Sequence, residues 1–184
     1  KQPSITDSIF NNIAGVFFDG VNDNLSCNFN DTISQPSTFF IVWKPGALSQ
    51  FEFIFDGFYS DIRQTYYFDR PSNQYTCWAG SYGSFTHPIS NVLSLHAIYF
   101  NGSNSKTYIN SSLVTSGNFG NLPISGLKIG VSYINAYFFN GWITDFLYYN
   151  RALTNAERDS VEKYLMNRLC GPVSLNPDTT IAHG

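Results

Sequence analysis

Charge is what this sequence has least of. Asp, Glu, Lys and Arg make up 12% of its 184 residues, about half the roughly 25% usual in globular chains. The formal net charge is −3, so no basic field exists to hold phosphates, and nucleic acid is not an expected partner. Long apolar runs are missing too. The stretches are about eight residues long and broken by Gly, Asn and Ser, well short of the ~20 residues of a membrane span. The chain opens on polar Lys1-Gln2-Pro3-Ser4 without a secretory signal pattern, which fits a mature form or an excised domain. Three cysteines, Cys27, Cys77 and Cys170, are too few and too scattered for a disulfide framework or a zinc site. Cys27 alternates with Leu25 and Phe29 and reads as a small buried side chain. A single Cys27–Cys77 bridge stays open.

Apolar residues are abundant, at 43%, and aromatics reach 17%, with 17 Phe, 12 Tyr and 3 Trp. A chain of this size buries roughly 70% of its surface in one domain, so it needs no metal or disulfide staple. The dominant periodicity is two. Ser37 to Lys44 (STFFIVWK) is a continuous apolar run. In Gln50 to Asp56 (QFEFIFD), Phe51, Phe53 and Phe55 share one face and Glu52, Ile54 and Asp56 the other. This reads as a half-buried strand with its aromatic face inward and a solvated acidic face. Asp61–Asp69, Tyr75–Trp78, Val92–Phe100, Lys106–Ile109, Gly126–Val131 and Gly141–Tyr149 also read as strands, spaced by Gly and Asn turns. The expectation is an all-β, antiparallel, two-sheet jelly-roll sandwich. One helix follows, over about 155–169. Thr154 and Glu157 form a capping box, and Val161, Tyr164, Leu165 and Leu169 make its apolar stripe. Gly171-Pro172 ends it. The domain is expected to span 1–171, with a tail at 172–184.

Several segments then resemble a known family. Val16-Phe17-Phe18-Asp19-Gly20-Val21-Asn22-Asp23 resembles the FDGxxD signature of laminin-G-like, concanavalin A-like jelly-roll domains. His96 to Asn110 is similar to their central hairpin. Gly126-Leu127-Lys128-Ile129-Gly130 resembles their GLxIG strand. Gly141 to Tyr149 resembles their GxIxE strand, with Asp145 in place of Glu. Arg151-Ala152-Leu153-Thr154 through Glu157-Arg158 to Tyr164-Leu165 is similar to the close of bacterial and phage members. The resemblance implies a sandwich whose face or rim loops bind glycans in many members, calcium in some and catalyse hydrolysis in others. Fold alone does not choose among these.

Hydrolysis of glycosides needs two carboxylates a few ångströms apart. With only three glutamates, Glu52, Glu157 and Glu162, the one strand pair on offer is Glu52 with Asp56, so catalysis is not expected. His96 shares a strand face with Ile98 and reads as a satisfied core histidine. Asp145, between Ile143 and Leu147, reads as paired with backbone donors or an arginine such as Arg151, or as part of a binding rim. Asp19-Gly20-Val21-Asn22-Asp23 has two readings, an Asx-stabilised turn and a calcium site with Asp19 and Asp23 as ligands. Sugars offer C–H faces to flat aromatics and hydroxyls to planar amides. The segments 78–83 and 132–138 supply both. Trp78, Tyr82, Tyr133 and Tyr137 are the stacking candidates and Asn135 the hydroxyl-binding one. Local packing and protein contact suit the same side chains. The leading expectation is a non-catalytic glycan-binding or recognition module, extracellular, on a cell surface or on a virion. Its partner would be a glycan or protein on a cell or particle surface, and assembly into a homo-oligomer stays open. The alternatives are a structural part cementing a viral or extracellular assembly, and a glycoside hydrolase or lyase.

Overall fold

The computed structural model describes residues 1–48, 51–89 and 91–170. Gln50, Gly171 and the expected tail 172–184 lie outside them. The described strands are β1 (Ser4–Phe10), β2 (Ile13–Asp19), β3 (Leu25–Ile33), β4 (Ser37–Pro45), β5 (Phe51–Asp56), β6 (Thr65–Asp69), β7 (Gln74–Trp78), β8 (Tyr82–Phe85), β9 (Ser94–Phe100), β10 (Ser105–Ile109), β11 (Ser112–Gly117), β12 (Ile124–Ile129) and β13 (Asn140–Tyr149). One helix, α1 (Asn155–Cys170), follows. The strands form two antiparallel sheets, one of seven in the order β1-β2-β13-β4-β9-β10-β11 and one of six in the order β3-β12-β5-β6-β7-β8. The expected all-β sandwich with one C-terminal helix is what is found.

Strand β4 shows why its sequence is apolar throughout. Phe39, Ile41 and Trp43 point between the sheets, against Phe55, Tyr66, Ile98 and Phe100. Phe40 and Val42 point the other way, into a second cluster with Leu95, Ala97, Leu165 and Leu169. Both faces of β4 are therefore core, and each fully buried Phe or Ile contributes about 1.5–3 kcal/mol. Helix α1 covers the outside of the seven-stranded sheet. Its capping box forms as expected: the Glu157 N–H donates to Thr154 Oγ1 at 3.3 Å, and Glu157 Oε2 accepts from the Thr154 N–H at 2.8 Å. Leu165 and Leu169 are buried, but Tyr164 is 62% exposed and leaves the expected stripe. Glu162 is buried instead, beside Arg158, whose guanidinium lies 4.0 Å from the Tyr108 ring.

The alternation in β5 fails where a bulge interrupts it. Phe53 pairs with Tyr67, but Phe55 pairs with Tyr66, so Ile54 is an extra residue. Phe55 does face the core. Phe51 and Phe53 face outward, and Glu52 goes in, correcting the expectation of a wholly inward aromatic face. The acidic face is not solvated either: Glu52 is 2% exposed and Asp56 fully buried. The bulge also puts this carboxylate pair on opposite faces of the strand.

His96 and Asp145 both find partners. His96 lies between the sheets, its Nδ1 2.7 Å from the Tyr66 hydroxyl and its Nε2 3.0 Å from Ser94 Oγ. Burial holds its pKa down to about 3. Asp145 pairs with Arg168 of α1 and accepts from Thr144 Oγ1 at 2.8 Å. Arg151, the expected partner, donates to Glu157. Cys27 and Cys77 are free thiols. Four strand steps separate β3 from β7, roughly 19 Å, far beyond disulfide reach. Cys27 is exposed rather than buried, because β3 is a sheet edge.

Candidate functional site

The outside of the six-stranded sheet carries no helix among the described residues, and its side chains are aromatic. Phe53 on β5 lies across from Tyr67 on β6, and Thr65 on β6 across from Trp78 on β7, which pairs in turn with Tyr82 on β8. These rows face outward because their neighbours Tyr66, Phe68, Tyr75 and Cys77 face the core. The Phe53 and Tyr67 rings stack, with centroids 4.6 Å apart and planes 15° apart. From the β12–β13 connection, Tyr137 packs on Phe51 at 5.3 Å and on Phe53 at 6.1 Å. Together with Arg63 these side chains line a groove of about 240 Å³. Tyr82, 71% exposed, and Tyr137, 41% exposed, stand at its rim. Tyr137 holds φ at 59° and Asn135 at 58°. That left-handed geometry costs about 1–2 kcal/mol per residue, which the packing of the connection outweighs.

Among the described residues, Arg63 is the one charged side chain lining the groove. Its guanidinium lies 4.4 Å from the Trp78 ring and 4.1 Å from the Tyr133 ring. Its Nη1 donates to Asp56 Oδ2 at 2.8 Å. The Tyr133 N–H donates to the same oxygen at 2.9 Å, and the Gly57 N–H to Oδ1 at 2.8 Å. Burial drives the Asp56 carboxyl up to about 6, against the pull of Arg63 and the two backbone donors. Lys128, across from Asp56 on β12, donates to the Tyr133 carbonyl at 3.0 Å and to Asn135 Oδ1 at 2.7 Å.

Trp78, Tyr82 and Tyr137 therefore line one groove. Tyr133 and Asn135 stand beside it, joined through Arg63 and Lys128. Phe51, Phe53, Arg63, Thr65 and Tyr67 are additional. The phenylalanines were hidden by the bulge, and only the rarity of cations could have marked Arg63. Glu52 and Asp56 line no part of the groove; Glu52 accepts the Asn140 N–H at 2.9 Å.

A second, open groove of about 690 Å³ runs beside Phe29, Tyr148 and Asn150. There the two rings stack on each other, 5.3 Å apart, and pack against the core. At the Asp19–Asp23 turn, Asp19 Oδ1 accepts N–H bonds from Val21 at 2.8 Å, Asn22 at 3.1 Å and Asp23 at 3.3 Å. Asp23 Oδ2 accepts from the Asp19 N–H at 3.3 Å. These bonds account for the shape of the turn. Asp23 is buried, and its Oδ1 has no partner among the described residues.

No protein-family model and no curated protein sequence matches this chain. Solved structures do. Domain 4 of AbnA, a GH43 extracellular arabinanase from Geobacillus stearothermophilus solved with arabinotriose, matches with a TM-score of 0.67 at 15% identity, over 88% of this chain and 82% of that one. The CBM40 of the Ruminococcus gnavus IT-sialidase, bound to alpha2,3 sialyllactose, matches with 0.56 at 12% identity, over 76% and 95%. It shares their fold. A Trypanosoma rangeli sialidase matches with 0.62 at 15% identity over 81% of this chain, which spans only 27% of that enzyme. At such identities the likeness is one of fold, a two-sheet β-sandwich.

Proposed function

We propose that this chain is a non-catalytic glycan-binding module whose site is the aromatic groove outside the six-stranded sheet. The observation that carries this reading is the gathering of Phe53, Tyr67, Trp78, Tyr82 and Tyr137 on a sheet face left bare by α1. Stacked and rim-standing rings give a sugar flat apolar surface, while the exposed Tyr82 and Tyr137 hydroxyls offer hydrogen bonds. The fold shared with sugar-bound domains supports it. Among such sandwiches the FDG segment and the Arg151–Leu165 close favour the laminin-G-like type. The module then acts outside the cell or on a particle surface, where glycans are displayed. Catalysis has no support from the acid pair: Asp56 is fully buried and its oxygens are committed.

A printed glycan array followed by calorimetry tests the reading. Binding to at least one glycan is expected, weakened about ten-fold or more by Tyr137→Ala or Phe53→Ala, the size of an interface hot spot, with melting little changed. No glycan bound, alongside tight association with a protein of a particle or matrix, would replace it by the assembly reading. Release of reducing ends from a polysaccharide would make it an enzyme.

A further inference from the structure

We infer that Asp56 is the positioning residue of the groove: from beneath the surface it holds the Arg63 guanidinium between Trp78 and Tyr133 and so fixes how those two rings are presented. The inference rests on the glycan-binding reading only for its consequence; the geometry stands without it. Asp56 ends β5 with its side chain fully buried. One carboxylate ties three pieces of chain together, through the Gly57 N–H, Arg63 Nη1 and the Tyr133 N–H. The guanidinium, its side chain only 15% exposed, fills the space between the rings. A cation held among aromatics away from water needs a counter-charge close by, and Asp56 supplies it.

Among the described residues, the charged groups that face Asp56 are Arg63, from the β5–β6 connection, and Lys128, from β12. Lys128 is directed at the Tyr133 carbonyl and Asn135. Asp56 and Lys128 thus pin one connection from its N–H and its carbonyl side. Removing the Asp56 charge leaves Arg63 uncompensated and weakens the charge-assisted bonds that hold both connections. Preorganisation of this kind sets affinity without touching the ligand.

Because the carboxyl titrates at about 6, acid should loosen the ring pair while the sandwich stays folded. The test compares Trp fluorescence and near-ultraviolet circular dichroism of the chain with those of its Trp78→Phe variant, between about pH 4.5 and pH 8. Their difference isolates Trp78 and is expected to change with a midpoint near 6. In Asp56→Asn it should be flat and resemble the acid form throughout. Arg63→Lys, which keeps the cation but loses the planar group, should keep the midpoint and lose most of the amplitude, and serves if Asp56→Asn does not fold. Binding to the printed array should weaken on the order of ten-fold at about pH 5 in the chain and not in Asp56→Asn. A Trp78 signal that is flat in the folded chain, or that still titrates in Asp56→Asn, overturns the inference even where glycans bind. A titrating signal with no glycan bound at any pH upholds the positioning role and removes the glycan reading instead.

Discussion

On the outside of the seven-stranded sheet, Phe40, Val42, Leu95 and Ala97 meet Leu165 and Leu169 of α1. On the outside of the six-stranded sheet, Phe53, Tyr67, Trp78 and Tyr82 meet no helix among the described residues. Both faces are apolar in composition, but they are built differently. The covered face is largely aliphatic, close-packed and served by a capped helix. The bare face is made of rings with polar tips, interleaved with a guanidinium and a threonine, and its supporting charges lie below the surface. Packing needs shape and volume, whereas recognition of a neutral, hydroxylated surface needs flat rings whose edges can hydrogen-bond. Large exposed apolar patches mark interaction sites in general, and that is the ground for putting the proposed site on the face that no described helix covers.

The two outer faces come apart most visibly at Leu165, which is 1% exposed. Leu165→Ala is expected to cost about 2–5 kcal/mol of stability, read by urea unfolding, with the Trp78 signal and glycan affinity unchanged in the folded fraction. Phe53→Ala should do the reverse, losing affinity with under about 2 kcal/mol of stability. If both variants lose stability and affinity together, the two outer faces are not separate in role.

Between the faces, His96 gives a pH test of the inner layer. Its folded pKa is about 3, below the ordinary 6.5, because burial disfavours the imidazolium. The unfolded chain takes up a proton below 6.5 that the folded chain refuses. Stability is therefore full above 6.5 and is lost as pH falls toward 3, by about 2 kcal/mol at pH 5. His96→Gln should remove this slope in denaturant titrations. Asp56 acts with the opposite sign. Its folded pKa of about 6 lies above the ordinary 3.8, so the folded chain keeps a proton that the unfolded one releases, and stability rises as pH falls from about 6 to 4. Asp56→Asn should accordingly steepen the acid loss, and an unchanged slope would argue against a buried, titrating Asp56.

A smaller effect belongs to the helix that covers the seven-stranded sheet. Thr154→Ala removes the cap that accepts from Glu157 and should cost about 1 kcal/mol, measured by thermal unfolding, without any change in the groove. The cap was readable in the sequence because it is local: Thr and Glu three positions apart suffice. The central strands were readable for a related reason. β4 and β9 are buried on both sides, so their runs are largely apolar without alternation. The strands that went unseen include β1, β3, β8 and β11, the four sheet edges, together with β2. In β3 only Phe29 and Ile33 are partly buried, so no alternation announces it. The loop aromatics of the groove could be found because Trp78, Tyr82 and Tyr137 stand among small residues. Phe51 and Phe53 could not, since the bulge at Ile54 turns them to the opposite face from Phe55. Asp56 and Arg63 met only through the fold, seven residues apart across a turn.

The smallest expected effect is at the Asp19–Asp23 turn, at the end of β2 on the helix-covered sheet. Partial burial would raise the Asp19 carboxyl, but backbone donors from Val21, Asn22 and Asp23 outweigh it and hold the carboxyl below the usual range. One of its oxygens is thus committed to the chain, and the other lies 3.8 Å from Lys1 Nζ. Calcium takes 6–8 oxygens, and no group of three or more His, Cys, Asp or Glu side chains gathers among the described residues. Asp19, with one oxygen already occupied, and Asp23 supply by themselves only part of that shell. Calcium at several millimolar, above the 10⁻⁴–10⁻³ M range of extracellular modules, should therefore move the melting temperature by no more than about 1 °C relative to a chelator. A saturable rise of several degrees, abolished by Asp23→Asn, would show that the unpartnered Asp23 Oδ1 waits for an ion, and would give the covered sheet a ligand of its own.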